Sequence, residues 1–246
     1  MAPLSRRVAV ISDVHANRHA LDAVLAAVAE EEPEAVWCLG DLVGYGPSPN
    51  ECCTVVAAHA DLCLCGNHDL VVLGGLELYD FAGDAAVAAA WTRTVLEADA
   101  REFLASLEPS ASQAGVELYH GSARDPVWEY VLSEEAAWAT LEATDAPLVL
   151  VGHSHVALAI SLEGDTLGGG LAPDGTEIDL GSGRWLLNPG SVGQPRDGDP
   201  RAAYLILEPG RSARFRRVDY DLEQTQAEMR EAGLPEPLAT RLAAGI

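Results

Sequence analysis

The sequence predicts an α/β fold, a layered αββα sandwich in which two mixed β-sheets are flanked by helices. Over roughly the first 150 residues, short apolar runs alternate with helical patterns, as in β-α-β units. The last hundred residues or so instead contain strand-like runs joined by Gly-rich or Pro-containing turns. Two packed sheets with helices on their outer faces accommodate both halves.

The length and composition fit one domain. A chain of 246 residues, 48% of them hydrophobic, can bury a sizeable core. The sequence shows no internal repeat, low-complexity linker or convincing boundary, so residues 1–246 are expected to form a single domain. No apolar run approaches the roughly 20 residues of a membrane-spanning helix, and no long apolar signal segment precedes the first strand. We therefore expect a cytoplasmic protein with no membrane partner.

Strands and helices alternate in the first part of the chain. Asn17 can cap the first helix, whose apolar residues recur at helical spacing, and Pro33 ends it. The predicted strands are 7–12, 35–39, 61–65, 116–119 and 148–151. The predicted helices are 17–32, 49–60, one or two segments within 85–107, and 134–141.

Strands with short turns predominate in the second part. The predicted strands are 156–162, 177–180, 185–188, 203–207 and 214–218, followed by a helix at 222–232 and a short helical tail from Pro235. The segment 164–183 is Gly-rich and is expected to be a weakly ordered surface hairpin.

Charge and cysteine content restrict the functions. The net charge of −23 argues against nucleic-acid binding, which needs Lys and Arg to neutralise phosphates. A small anionic substrate remains compatible, because divalent cations can reverse the local charge. The five cysteines have neither disulfide-scaffold nor zinc-pair spacing and are expected to be buried free thiols.

Polar residues of the same few types follow five of the predicted strands. Ligands bind at the carboxyl ends of strands in open α/β sheets, where side chains from neighbouring ends can converge. Five of the seven histidines stand at these ends. The motifs are Asp13-Val-His15, Gly40-Asp41, Gly66-Asn67-His68-Asp69, His120-Gly121 and Gly152-His153-Ser154-His155. Carboxylate and imidazole ligands suit Mn, Fe, Zn or Co, and an Asp can bridge two cations about 3.5 to 4 Å apart.

This ordered set resembles the calcineurin-like metallophosphoesterase superfamily, in its compact prokaryotic phosphodiesterase branch. The intervals of 28 residues from Asp13 to Asp41 and 26 from Asp41 to Asn67 are similar to those of the family. The downstream Asn188-Pro-Gly-Ser191 resembles the same branch. Ala16 departs from the pattern, since the family usually has Gly there.

The resemblance implies a centre of two divalent transition-metal ions, with Mn, Fe, Zn or Ni as candidates, and a water activated by both. The implied ligands are Asp13, His15 and His155 for the first metal, Asp41 as the bridge, and Asn67, His120 and His153 for the second. His68 would stabilise charge on the phosphate or protonate the leaving oxygen. Asp69 would either orient the His68 ring, as a second catalytic residue, or cap the following segment.

Substrate contacts are less defined. Asn67 and Arg196 are the candidate substrate-binding residues, and a planar guanidinium suits bidentate phosphate recognition. Arg18 is either a substrate contact or an exposed residue of the first helical turn, and Tyr45 either faces the substrate or only belongs to a turn. Asn188-Pro-Gly-Ser191 is either a self-contained turn or a support for the metal ligands.

The expected function is metal-dependent hydrolysis of a small phosphate ester, by a phosphodiesterase or phosphatase. The alternatives are a protein phosphatase or nuclease of the same fold, or a non-catalytic binding scaffold. The acidic surface disfavours the nuclease, and the presence of His68 and Asp41 disfavours the scaffold. The sequence motifs do not specify the natural substrate, the physiological metal or a homo-oligomeric state. Substrate selectivity depends on loops 43–50, 70–84 and 121–130, which shape the pocket.

Overall fold

The computed structural model describes residues 7–81, 83–113 and 115–246. Within these ranges two six-stranded mixed sheets pack face to face with helices outside them, which confirms the predicted αββα sandwich. The strands are β1 (Val8–Ile11), β2 (Ala35–Cys38), β3 (Leu62–Cys63), β4 (Ser110–Gln113), β5 (Val116–Tyr119), β6 (Leu148–Val151), β7 (Ala157–Glu163), β8 (Thr166–Leu171), β9 (Glu177–Asp179), β10 (Arg184–Pro189), β11 (Ala202–Glu208) and β12 (Ser212–Val218).

Eight α-helices are found in the same ranges. They are α1 (Arg18–Glu30), α2 (Pro49–His59), α3 (Asn67–Leu73), α4 (Gly83–Val95), α5 (Ala98–Ala105), α6 (Glu134–Glu142), α7 (Leu222–Glu231) and α8 (Glu236–Leu242), and a short 3-10 helix covers Leu78–Asp80. The Asn17 side chain accepts a hydrogen bond from the Ala20 amide and caps α1, as predicted. None of these helices is long and apolar enough to cross a bilayer.

Sheet topology brings the motif-bearing strand ends together. The first sheet has the order β3-β2-β1-β11-β12-β9, with β1, β2 and β3 parallel. The second has the order β4-β5-β6-β10-β7-β8, with β5, β6 and β10 parallel. Parallel neighbours end at the same edge, so the residues that follow them are placed side by side.

The core lies on both faces of the central strands. Val8 and Val10 of β1 pack between the two sheets, whereas Ala9 and Ile11 face the helical layer that contains α1. This double burial explains why the strand is a continuous apolar run rather than an alternating one.

The sequence prediction missed helix α3, strand β4 and the 3-10 helix at Leu78–Asp80, and it gave the hairpin that contains β8 as weakly ordered. Helix α3 follows the Gly66-Asn67 motif directly, and β4 is a short polar strand at an edge of the second sheet. The Gly-rich segment 164–183 contains β8, which pairs with β7 from Glu163↔Thr166 to Leu158↔Leu171. Its glycines have low strand propensity, but the backbone ladder with β7 forms a regular hairpin despite them.

Candidate active site

The strand-end motifs converge on one buried cluster. Asp13, His15, Asp41 and His155 offer ligand atoms within 4.8 Å of one another, and Asp41, His120 and His153 form a second group of this kind. All six side chains are buried. Asp41 belongs to both groups, so the two share one carboxylate.

The backbone around this cluster is unusual. Of eight described non-glycine residues with positive φ, seven lie here, namely Asp13, His15, Ala16, Asp41, Tyr45, His153 and His155. Left-handed backbone costs of the order of 1 to 3 kcal/mol per residue and persists where the surroundings enforce it, most often at functional sites. Ala16, at φ 52°, occupies a conformation that glycine adopts without strain. This explains why Gly is usual at this position in the family that the sequence motifs resemble.

Two glycines let the loops approach the functional side chains. A Cβ on Gly66 would lie 2.0 Å from Oδ1 of Asp41, and a Cβ on Gly44 would lie 2.4 Å from Nδ1 of His68. Gly44 also has a φ of +86°. No other residue fits either position without displacing the Asp41 carboxylate or the His68 ring.

Backbone carbonyls determine the tautomers of the four clustered histidines. A carbonyl oxygen only accepts, so the ring nitrogen that contacts it carries the proton. The contacts are His15 Nδ1 to Val43 O at 3.1 Å, His120 Nδ1 to Leu39 O at 2.8 Å, His153 Nε2 to Trp128 O at 3.2 Å and His155 Nδ1 to Gln194 O at 2.7 Å. The opposite nitrogen of each ring is left to act as a ligand.

Two of these ligand atoms, Nε2 of His15 and Nε2 of His155, face each other without a proton to share, because burial lowers the pKa of both rings. Nε2 of His15 lies 3.0 Å from Nε2 of His155, and Nε2 of His120 lies 3.2 Å from Oδ1 of Asn67. Both carboxylate oxygens of Asp13 and Oδ2 of Asp41 are buried without a hydrogen-bond partner. Converging lone pairs of this kind are unfavourable unless a cation joins them, so the residues fit a metal centre.

Burial shifts the charges of the cluster. It raises the pKa of Asp13 to about 7 and lowers the pKa values of His15 and His155 well below their ordinary value. Burial also opposes a charge on His120, but the Asp41 carboxylate beside it raises the pKa of that histidine to about 9. Burial opposes the charge on Asp41 too, but the neighbouring His120 and His68 hold the pKa of that carboxyl well below its ordinary value. Asp13 therefore lacks sufficient compensating positive charge, which a bound cation would supply.

His68 lies beside the cluster without joining either ligand group. Its backbone N–H donates to Oδ1 of Asp41 at 2.9 Å, which leaves Oδ2 for other ligands. Its ring packs edge-on against His15 and Phe81 and lies 4.4 Å from the Tyr45 ring. Nδ1 has no hydrogen-bond partner, and burial lowers the pKa of the imidazole to about 4, so His68 is neutral.

Asp69 is placed differently from the expectation that it orients His68. Its Oδ1 accepts hydrogen bonds from the amides of Leu42 and Val43, and its Oδ2 accepts one from the Gly66 amide at 2.9 Å. The carboxylate thus caps α3 and holds the loop after β2, the alternative role. Buried amides with no other acceptor require it, and the His68 ring receives no bond from it.

The profile of the calcineurin-like phosphoesterase superfamily domain matches residues 7–211. The chain belongs to this superfamily. It is similar to an uncharacterized protein of Methanocaldococcus jannaschii, 36% identical over 244 residues, which cover 97% of this chain and 98% of the relative. The crystal structure of a metallophosphoesterase from Sphaerobacter thermophilus superposes with a TM-score of 0.89 at 44% identity, covering 98% of this chain and 100% of that one.

A more distant structure supports the fold alone. The crystal structure of a hypothetical protein from Pyrococcus horikoshii superposes with a TM-score of 0.78 at 20% identity, covering 98% of each chain. The two-sheet architecture is therefore retained in a structure with much lower sequence similarity.

The Asn188-Pro-Gly-Ser191 segment is both a turn and a support for the loops that carry candidate ligands. Asn188 Oδ1 accepts from the Gly190 amide within the turn, while its Nδ2 donates to Gly152 O at 2.7 Å. Ser191 Oγ donates to Asp13 O at 2.8 Å. The segment therefore connects the loop after β1 to the loop after β6, which carry the first and last of the clustered ligands.

The predicted substrate contacts divide into two groups. Arg18 bonds Asp22 one turn along α1, in agreement with an exposed helical residue. Arg196 instead lies beside the candidate metal centre, with Nη2 3.3 Å from the Tyr45 hydroxyl and 3.2 Å from Oε1 of Gln194. Tyr45 is buried, and its ring centroid lies 4.7 Å from that of His15.

Several residues at the site belong to none of the strand-end sequence motifs. The Tyr130 ring stacks on His153 with centroids 3.8 Å apart, Phe81 contacts both His68 and Trp128, and the Arg241 guanidinium carbon lies 4.7 Å from the Tyr45 ring centroid. They lie in loops or in the C-terminal helix α8 rather than after a strand of a β-α-β unit. No local pattern marks them, because only long-range packing brings them here.

Proposed function

We propose that this protein is a dinuclear metal-dependent phosphoesterase that hydrolyses small phosphate esters. The observation that carries the proposal is the convergence of buried carboxylate and imidazole ligand atoms in two groups that share Asp41, with the oxygens of Asp13 and Oδ2 of Asp41 left without a hydrogen-bond partner. In this assignment Asp13, His15 and His155 hold one cation, Asn67, His120 and His153 hold the other, and Asp41 bridges them. Mn, Fe, Zn and Ni are the candidate ions.

Bound cations would supply Lewis-acid polarisation of the phosphoryl oxygens and a water of lowered pKa. His68 stands beside the ligands as a neutral imidazole, so its ring N–H can donate a hydrogen bond to the phosphoryl group. To protonate the leaving oxygen, the ring would first take up a proton, which the negative charge of a bound phosphate favours. Phe81 packs edge-on against the His68 ring and contacts Trp128. This apolar wall keeps the ring in place and limits the access of bulk water.

Composition narrows the substrate class. A net charge of −23 opposes long polyanions such as nucleic acids, whereas two divalent cations suffice for a small ester. The ligands come from the ends of strands in both sheets, which supports one catalytic domain rather than two. Phosphodiesterase and phosphatase activity on small molecules are the two forms that we propose.

Metal removal tests the proposal. Protein stripped with chelator should hydrolyse neither an aryl phosphate monoester nor an aryl phosphate diester, and adding Mn, Fe, Zn or Ni should restore hydrolysis. Metal content is measured on the same samples. Full activity in protein that contains no metal would refute the proposed function, and the ratio of the two rates would identify the preferred ester.

A further inference from the structure

Two of the arginines that the structure describes pair with neither a carboxylate nor a backbone carbonyl. All 15 basic residues are arginines. Of those that the structure describes, nine lie within 4.0 Å of a carboxylate oxygen. Arg93, Arg101 and Arg184 donate instead to backbone carbonyls. The two described arginines that do neither are Arg196 and Arg241.

Arg196 and Arg241 share the same neutral partners. Oε1 of Gln194 accepts a hydrogen bond from each guanidinium. The guanidinium carbons lie 5.6 Å and 4.7 Å from the centroid of the Tyr45 ring. Nε of both arginines is buried without a hydrogen-bond partner. Two cationic side chains therefore converge on the amide of Gln194 and the phenol of Tyr45, and the Nε–H donor of each arginine is left unused.

The pair lies immediately beside the candidate metal centre. The Tyr45 ring that both guanidinium groups contact also packs against the rings of His15 and His68. The Arg196 amide donates to the carbonyl of His155 at 3.2 Å, so the loop that carries Arg196 is joined to a candidate ligand. One tyrosine ring thus separates the arginine pair from the centre.

The described residues supply no directly paired carboxylate to this positive charge, although Arg196 is among the groups that oppose the raising of the Asp13 pKa by burial. Burial and then repulsion from Arg196 lower the pKa of Arg241, while Tyr45 and the more distant Asp84 partly oppose that shift. No carboxylate of the described residues lies within 4.0 Å of either guanidinium, although the chain has 38 Asp and Glu. Two half-buried like charges held together are unfavourable unless a ligand supplies the anion.

We infer that Arg196 and Arg241 bind a second phosphoryl group of the substrate, so that the preferred substrate is a small organic compound with two phosphate groups. This inference rests on the proposed function, since the first phosphate would be the one at the metal centre. Two guanidinium groups match the charge and the several oxygens of a phosphate dianion. The family match ends at residue 211, so Arg241 on α8 is supplied by the C-terminal region of this chain.

A matched pair of non-hydrolysable probes tests the subsite. Propylphosphonate and 1,3-propylene bisphosphonate differ by one phosphoryl group, and their binding to the full-length, metal-containing protein is measured by titration calorimetry. The wild type should prefer the bisphosphonate by roughly 10- to 100-fold, as expected for charge-assisted hydrogen bonds. Arg241→Gln and Arg196→Gln should each lose most of this preference while retaining propylphosphonate binding.

Arg211→Gln is the matched control. Arg211 is exposed in the turn between β11 and β12 and pairs with Glu208, so its loss changes the net charge equally. This variant should keep the wild-type preference. If Arg241→Gln perturbs folding, which thermal unfolding would show, Arg196→Gln in the loop after β10 decides the outcome.

The outcomes separate the inference from the proposed function. Equal affinity of the wild type for both probes, or equal weakening of both by the Arg241 and Arg196 variants, would overturn the inference. A preserved bisphosphonate preference in a protein that hydrolyses no ester would overturn the proposed function and leave the anion subsite. Metal-dependent hydrolysis by a wild type that does not prefer the bisphosphonate would support the proposed function and overturn the inference.

Discussion

The two halves of the candidate metal centre are built from unequal ligands. The first ligand set, Asp13, His15 and His155 with the shared Asp41, contains two carboxylates and two imidazoles. The second ligand set, Asn67, His120 and His153 with Asp41, contains one carboxylate, two imidazoles and an amide. The first set therefore offers more negative charge to a cation, and its two imidazole nitrogens already lie 3.0 Å apart.

The surroundings of the two halves differ as well. Asp13, His15 and His155 all have left-handed backbone, whereas His153 alone does so among the three unshared ligands of the second set. The segment from Ser191 to Gln194 also bonds both ends of the first set. In the second set, His153 lies under Tyr130, which is 46% exposed. The first half is thus the more deeply constrained, and we expect it to bind its metal more tightly than the second.

The largest effect is expected from Asp41→Asn, because Asp41 alone belongs to both ligand sets. The amide carries no charge, so occupancy of both metals and the hydrolytic activity should fall together. His15→Ala should mainly weaken the first metal. Metal content per chain and hydrolysis are measured on each purified variant.

Asp22→Asn provides the control for charge, since Asp22 is a surface carboxylate paired with Arg18. It should retain the metals and activity of the wild type. Two ions per chain in Asp41→Asn would show that Asp41 does not bridge, and the two halves would then be independent sites.

The next largest loss of activity is expected from His68→Ala. The His68 ring contacts His15 of the first ligand set, and His68 directly follows Asn67 of the second set in sequence. Metal content should be unchanged, while the rate falls by about 10² to 10⁴, the usual contribution of a general acid. The hydrolysis rate should fall more with an alkyl ester than with a nitrophenyl ester, because a poor leaving group needs protonation. A similar loss on both esters indicates charge stabilisation instead.

Unchanged rates of His68→Ala on both esters would remove His68 from the catalytic machinery. The non-catalytic scaffold would then become the better interpretation of the fold. Metal analysis of the same samples excludes an indirect effect through either ligand set.

The smallest effect is the expected difference in metal retention between His155→Ala and His153→Ala as the chelator concentration is increased. His153→Ala should keep one tightly held metal, whereas His155→Ala should keep only a weakly held one. We expect the chelator concentrations that remove these metals to differ by at least about tenfold, a free-energy difference of about 1.4 kcal/mol. Equal concentrations would show that the two halves are energetically equivalent, despite their different charge.

Much of the fold was predictable because it depends on local patterns. Apolar runs and helical periodicity identified most of the central strands and the outer helices, and β5 and β6 have the predicted bounds. Strand β8 was less visible, since its glycines acquire regular structure from the ladder with β7. Helix α3 was missed because its polar start, Asn67-His68-Asp69, looks like a loop motif, and only the Asp69 cap shows that a helix begins there.

The sequence by itself determined the fold class and the residue types at the strand ends, because parallel pairing places neighbouring ends of one sheet side by side. Packing of the two sheets then joins Asp13, His15 and Asp41 of one sheet to His120, His153 and His155 of the other. Tertiary structure decided the tautomer of each histidine, since the carbonyls of Val43, Leu39 and Gln194 lie far from those histidines in sequence. It also decided that Asp69 caps backbone amides and that Arg241 meets Arg196. Such roles depend on which distant groups share a buried space, and no local pattern carries that information.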